Sequence, residues 1–176
     1  MIRPATLADV PAILDIYKPY ILQTAITFEY DVPSLEEFEE RFQMITADFP
    51  WLVWEEDDKV LGYAYAEKPF VRAAYQWAAD LAIYLAPQAQ GKGIGRTLYN
   101  AVEEIITKQG YCLCYGVVTS ENKKSCAFHE AMGYRKAAVF ENCGFKFGQW
   151  YGTIWYEKRL QPGLPNAAPI SWREIL

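Results

Sequence analysis

Apolar positions recur along the chain with two periods, and the changes between them mark out its elements. Residues 1–5 read as a short first strand. Thr6 then opens a helix, with Asp9 in an acidic first turn and Pro11 early enough to be tolerated. Val10, Ile13, Leu14, Tyr17 and Ile21 follow at helical spacing and should face the core. Residues 24–30 are apolar and aromatic without a period: a packed loop, or one wall of a pocket. Ser34 and Glu37 form a capping box for a second helix that carries Leu35, Phe38 and Phe42 on one face. From Trp51 the period falls to two. Residues 51–55 and 60–67 are β-rich runs divided by the charged turn Glu56, Asp57, Asp58 and Lys59, and residues 77–85 complete an antiparallel meander.

Helical spacing returns at Leu98, Val102, Ile105 and Ile106 and ends near Gly110. Residues 111–119 are apolar enough for a buried central strand. Residues 122–132 read as a helix stopped by Gly133. Residues 135–140 and 150–159 are predicted strands, separated by 141–148. Residues 161–169 have linker composition and should be loose or draped over the surface. The order β-α-α-β-β-β-α-β-α-β-β is that of a mixed α/β sheet, with one domain over 1–160 and a C-terminal tail over 161–176.

Composition narrows the function. The 176 residues fit one domain, and 52% hydrophobic with 22% charged residues is an ordinary globular profile. A net charge of −5 argues against general nucleic-acid binding. No apolar run is long enough to span a membrane, and the N-terminus lacks a signal-peptide core. Cys112, Cys114, Cys126 and Cys143 have no C-x-x-C spacing and form no metal-binding pattern with the single histidine, so no metal is expected. Cys112 and Cys114 lie two apart in a strand-like run and cannot easily bridge each other, which points to reducing cytoplasm.

The chemistry gathers after the strand at 77–85, in Gln90-Gly91-Lys92-Gly93-Ile94-Gly95-Arg96. A glycine loop opening a helix bares backbone N–H groups at the helix's positive end, where a phosphate can sit. Lys92 and Arg96 add a local cationic spot to an acidic protein, which suits one anionic ligand. It is not a P-loop: Ala86 stands where the first glycine should be, and Gly93 follows Gly91-Lys92. Nor is it G-x-G-x-x-G, because Arg96 occupies the last glycine's place. The remaining Q-x-x-G-x-G resembles the pyrophosphate loop of the GNAT superfamily of acyl-CoA-dependent N-acetyltransferases. A second motif of that family is matched by Asn122, Ser125, His129 and Gly133-Tyr134. Four stretches are similar to the phosphinothricin and methionine sulfoximine N-acetyltransferase group: 50–53, 72–77, 129–134 and 144–150. The resemblance runs from residue 2 to about 158. It implies a GNAT acyl-CoA N-acyltransferase fold, a mixed, largely antiparallel central sheet flanked by helices.

Acetyl transfer to an amine requires a held thioester, a deprotonated amine, a stabilised oxyanion and a proton for the departing thiolate. The resemblance implies acetyl-CoA as cofactor, its pyrophosphate on Gly91, Lys92, Gly93, Ile94, Gly95 and Arg96 with Gln90 opening the loop. Ile83, Tyr84 and Leu85 would bond its pantetheine arm as an added strand, and Asn122 and Ser125 would contact it from the next helix. Asp80 is the only acid in 77–86 and is the candidate base. It stands where the resembling group has glutamate; being one methylene shorter, it either acts as the base, directly or through a water, or pairs structurally with Arg72. His129 is either the acid for the thiolate or a structural histidine. Arg72, Ala73, Ala74 and Tyr75 are candidates for binding an acceptor's carboxylate, joined by Phe28 and Glu29 and by Lys146 across a dimer interface. The aromatic-rich segment 145–155 makes a homodimer plausible. The expected partner is a small amino-acid-like amine. A polyamine, an aminoglycoside, a protein N-terminus or a non-catalytic acyl-CoA sensor remain alternatives.

Overall fold

The two periods resolve into four helices and seven strands in the computed structural model, which describes residues 1–163 and 165–175. In chain order they are β1 (Ile2–Pro4), α1 (Val10–Gln23), α2 (Leu35–Asp48), β2 (Trp51–Glu56), β3 (Lys59–Glu67), β4 (Ala78–Leu85), α3 (Ile94–Gln109), β5 (Leu113–Thr119), α4 (Lys123–Ala131), β6 (Arg135–Lys146) and β7 (Gln149–Arg159). The order of elements is the predicted one. The strands form one sheet, β1-β2-β3-β4-β5-β7-β6, antiparallel at every step except β4–β5.

Period-two alternation gives the sheet two buried faces. Leu52, Ala64 and Leu81 pack with Leu98, Val102 and Ile106 of α3. The intervening residues Trp51, Val53 and Tyr63 pack with Val10, Ile13 and Tyr17 of α1 and with Phe38 and Phe42 of α2. Ser34 caps α2 by accepting from the Glu37 N–H, while Glu37 accepts from the Ser34 N–H, a device worth about 1 kcal/mol. Asp57 and Asp58, both at positive φ, make the tight turn between β2 and β3.

Several local expectations need correction. A 3-10 turn at Leu7–Asp9 precedes α1, because Asp9 accepts from both the N–H and the hydroxyl of Thr6 and closes a turn there. Leu35 lies in the first turn of α2 and is exposed, so only Phe38 and Phe42 carry that face inward. Residues 141–148 are not a connecting loop: β6 runs on to Lys146, with an irregularity between Phe140 and Gly144, and turns at Phe147 and Gly148. The tail is anchored rather than loose at Trp172, which is buried in the α3-side core and donates to the Thr46 carbonyl at 2.9 Å. Residues 164 and 176 of that tail lie outside the described residues.

One feature of the sheet positions the site. β4 and β5 pair only at Ala78–Leu113, Ala79–Cys114 and Asp80–Tyr115. Beyond Asp80 the strands part, while each stays paired to its other neighbour, β3 or β7.

Candidate active site

The parted strands open a cavity of about 790 Å³, lined by residues 80–85 on one side and 117–119 on the other. Alternate backbone N–H and C=O groups on these strands face the gap without a strand to bond. Tyr20 of α1 closes the far end, its hydroxyl donating to the Leu85 carbonyl at 2.6 Å. At that end the glycine loop meets α3. Gly91 and Gly93 lie at φ +75° and +79°, with nothing within 4 Å of where a Cβ would stand. The backbone there is bare to an approaching group. The first bond of α3 is Thr97 N–H to Gly93 O at 3.1 Å, so the N–H groups of Ile94, Gly95 and Arg96 have no acceptor inside the helix. Lys92 and Arg96 are exposed beside them, whereas the Ile94 side chain is buried in the core. Gln90, Gly91 and Gly95 line the cavity, as do Ile83, Tyr84 and Leu85. Asn122 caps α4, its Oδ1 accepting from the Ser125 N–H at 3.2 Å, and both residues line the same cavity.

The opposite end lies between α1, α2 and β3. Tyr17, Glu29, Arg41, Tyr65, Glu67 and Asp80 line it. Asp80 is half-buried as a residue, but its Oδ1 is shielded from solvent and has no hydrogen-bond partner. Burial, helped by the charge of Glu67, pushes its carboxyl up to about 7, against 3.8 for a free aspartate. Asp80 makes no pair with Arg72 among the described residues. Glu29 is held instead by Arg41, which donates to both carboxylate oxygens at 2.7 and 3.3 Å, and by the Tyr17 hydroxyl at 3.0 Å. The irregular segment that carries Glu29 is pinned by Lys146, which donates to the carbonyls of Ile21 and Thr27 at 2.7 and 2.8 Å. Thr119 also holds it, donating to the Ala25 carbonyl at 2.6 Å.

His129 reaches the cavity but is tightly engaged. Its Nδ1 is 2.8 Å from the Ser125 carbonyl oxygen, which only accepts, so Nδ1 carries the proton. Nε2, 3.0 Å from Tyr99 Oη, then accepts from that buried hydroxyl. Burial lowers its pKa. The ring stacks on Tyr156 at 5.3 Å, and it fits only because Gly116 faces it: a Cβ there would come within 2.4 Å of Nε2. This geometry holds a neutral imidazole in place.

Other candidates fall elsewhere. Arg72, Ala73, Ala74 and Tyr75 are exposed on the β3–β4 connection, and Arg72, Ala73 and Tyr75 border a separate cleft with Tyr111 and Ile170. Phe28 packs over Gly144 rather than lining the cavity. Lys146 is buried against carbonyls of its own chain. Arg41 and Glu67 were not singled out in the sequence. Arg41 reaches Glu29 from the inward side of α2, and cross-strand register sets Glu67 against Asp80; neither leaves a mark in local sequence.

A seam with free backbone groups on both lips, ending at a bare helix N-terminus, accepts an extended amide-bearing arm that terminates in phosphates. That form suits an acyl-CoA, and an acid with an unpartnered oxygen stands beside it, as acyl transfer to an amine would use. Comparison with known proteins agrees: residues 2–155 match the family model described as acetyltransferase (GNAT) domain, and the chain belongs to that family. It is 36% identical to a phosphinothricin N-acetyltransferase of Alcaligenes faecalis, over 88% of this chain and 80% of that protein. It is 29% identical to an L-methionine sulfoximine/L-methionine sulfone acetyltransferase of Salmonella typhimurium, over 96% and 97%. A crystal structure of a GNAT superfamily phosphinothricin acetyltransferase from Sinorhizobium meliloti in complex with AcCoA superposes with a TM-score of 0.90 at 33% identity, covering 97% of this chain and 92% of that one. The protein is an N-acetyltransferase that uses acetyl-CoA. No helix among the described residues is long and apolar enough to cross a membrane.

Proposed function

We propose that the protein acetylates the α-amine of a small amino-acid-like acceptor of the phosphinothricin or methionine sulfoximine kind, with Asp80 as general base. The observation that carries this reading is the unpartnered, solvent-shielded Oδ1 of Asp80 at the mouth of the seam. A carboxyl near pKa 7 is matched to removing a proton at neutral pH. The bound cosubstrate supplies an acyl group activated as a thioester. The loop from Gly91 to Arg96 holds its phosphates, and the edge of residues 83–85, met at Leu85 by the Tyr20 hydroxyl, holds its arm. Asp80, one methylene shorter than glutamate, takes the ammonium proton through a water. His129 positions Tyr99 and the wall formed by α4 instead of supplying the thiolate's proton.

The acceptor class is supported by the similarity to a phosphinothricin N-acetyltransferase and a methionine sulfoximine acetyltransferase. A second reading has its own support: Glu29, Glu67 and Asp80 face one cation, Arg41, so the acceptor end favours amines without a second anionic group. We further propose that the enzyme is a cytoplasmic homodimer joined through β6 and β7, where Phe140, Phe145, Phe147 and Trp150 are exposed. The deciding experiment measures thiol release from acetyl-CoA across phosphinothricin, methionine sulfoximine, neutral amino acids, polyamines and an aminoglycoside. Turnover with the first two is the expected result. Preference for polyamines would move the assignment to the second reading, and cofactor binding without any turnover would leave only an acyl-CoA sensor.

A further inference from the structure

Two carboxylates stand side by side in the cavity with no cation between them. Glu67 of β3 and Asp80 of β4 are direct partners in the antiparallel register, so both side chains leave the sheet on the same face, and both line the cavity. Among the described residues Glu67 makes no hydrogen bond or ion pair. Like charges placed directly opposite each other destabilise a sheet. Arg41, the cation at this end of the cavity, is committed to Glu29 at 2.7 Å. The arrangement is costly as structure and has a chemical use.

We propose that Glu67 is a positioning residue for the transfer reaction: it shares a proton with Asp80 and so keeps Asp80 basic enough to accept the acceptor's ammonium proton near neutral pH. This rests on the reading in which Asp80 is the base. In the step itself an N–H bond of the ammonium breaks and an O–H bond forms on Asp80. Glu67 accepts a hydrogen bond from that new O–H, and the proton leaves the pair to solvent after turnover.

The surroundings support this division of labour. Burial raises both carboxyls, and the charge of Glu67 adds to the rise at Asp80. Burial is the larger influence on Glu67, with Arg41 pulling it down and Glu29 pushing it up. Arg41 favours the charged form of Glu67, and that charge raises Asp80, its cross-strand partner. The other titratable groups whose ionisation senses Asp80 are Tyr65 of β3, Tyr99 of α3 and Cys114 of β5, all held well above their ordinary range by burial. They remain neutral while the pair titrates.

The test is the pH dependence of kcat/KM for wild type, Glu67→Gln and Glu67→Asp, with an acceptor found in the panel. Glu67→Gln should move the acid limb to lower pH by roughly one unit, with a several-fold lower plateau from the weaker base. Glu67→Asp, which keeps the charge, should bring the limb back toward wild type. The same titration is readable without turnover, from the infrared band of the protonated carboxyl, assigned by its loss in Asp80→Asn. An unmoved limb and an unmoved band in folded, CoA-binding Glu67→Gln overturn the proposal. If wild type turns over no acceptor, the infrared midpoint still decides the coupling, while the base assignment fails separately.

Discussion

Asp9 is buried and Asp80 has one oxygen shielded from solvent, yet the two are treated in opposite ways. Asp9 is surrounded by donors: Arg3 reaches both of its oxygens at 2.7 Å, and the Thr6 N–H and hydroxyl complete the set at 2.7 and 2.9 Å. The Arg3 hydrogen bonds, first among the causes, hold its carboxyl below the usual range. Asp80 has a buried oxygen with no donor and an acid as its cross-strand neighbour. One aspartate ties β1 to the start of α1, while the other is kept uncomfortable at the mouth of a seam. Burial alone therefore does not tell the two carboxylates apart; the supply of donors does, and it is Asp80's lack of them that the proposed base role rests on.

The contrast can be broken most decisively at Asp80. Asp80→Asn should lower kcat by about 10²–10⁴, the usual weight of a general base, while CoA affinity stays near wild type; turnover within a few-fold of wild type would return Asp80 to a structural role. The pH dependence of stability sharpens the same contrast with its sign. Asp80 binds its proton more tightly folded than unfolded, about 7 against 3.8. It therefore costs stability progressively as pH rises between those values, and fully above them. Denaturant unfolding at pH 8 should find Asp80→Asn more stable than wild type by on the order of 3–4 kcal/mol, with the difference closing toward pH 4. Asp9 has the opposite sign: its stabilisation is present above the unfolded pKa and is lost as pH falls through the depressed folded one. Asp9→Asn should cost about 2–3 kcal/mol at pH 7 and progressively less in acid. The smallest effect is expected at His129. His129→Gln should lower kcat by less than about tenfold and leave the acid limb in place; a displaced limb would make the histidine a proton carrier after all.

The order of elements was legible because two hydrophobic periods alternate cleanly along the chain, and the glycine loop because its residue types are dictated by backbone geometry. The length of β6 was hidden. Gly144 and an irregular register interrupt its alternation, and its turn places Phe147, not the customary Asn or Asp, at positive φ. Trp172 was hidden too, since a linker-like composition says nothing about one anchoring side chain. At the site, Asp80 could be picked out as the lone acid of its strand. Glu67 and Arg41 could not, because their relevance depends on strand register and on which helix face meets the sheet. The environment of His129 was equally out of reach: its proton is fixed by a carbonyl and a tyrosine thirty residues away.

The seam between β4 and β5 has one more implication. With three residue pairs joining strands of eight and seven residues, the two parts of the sheet are joined by few backbone bonds and share the core against α3. An arm laid between the lips would act as a temporary eighth strand, so the substrate that the enzyme consumes is also the piece that closes its architecture.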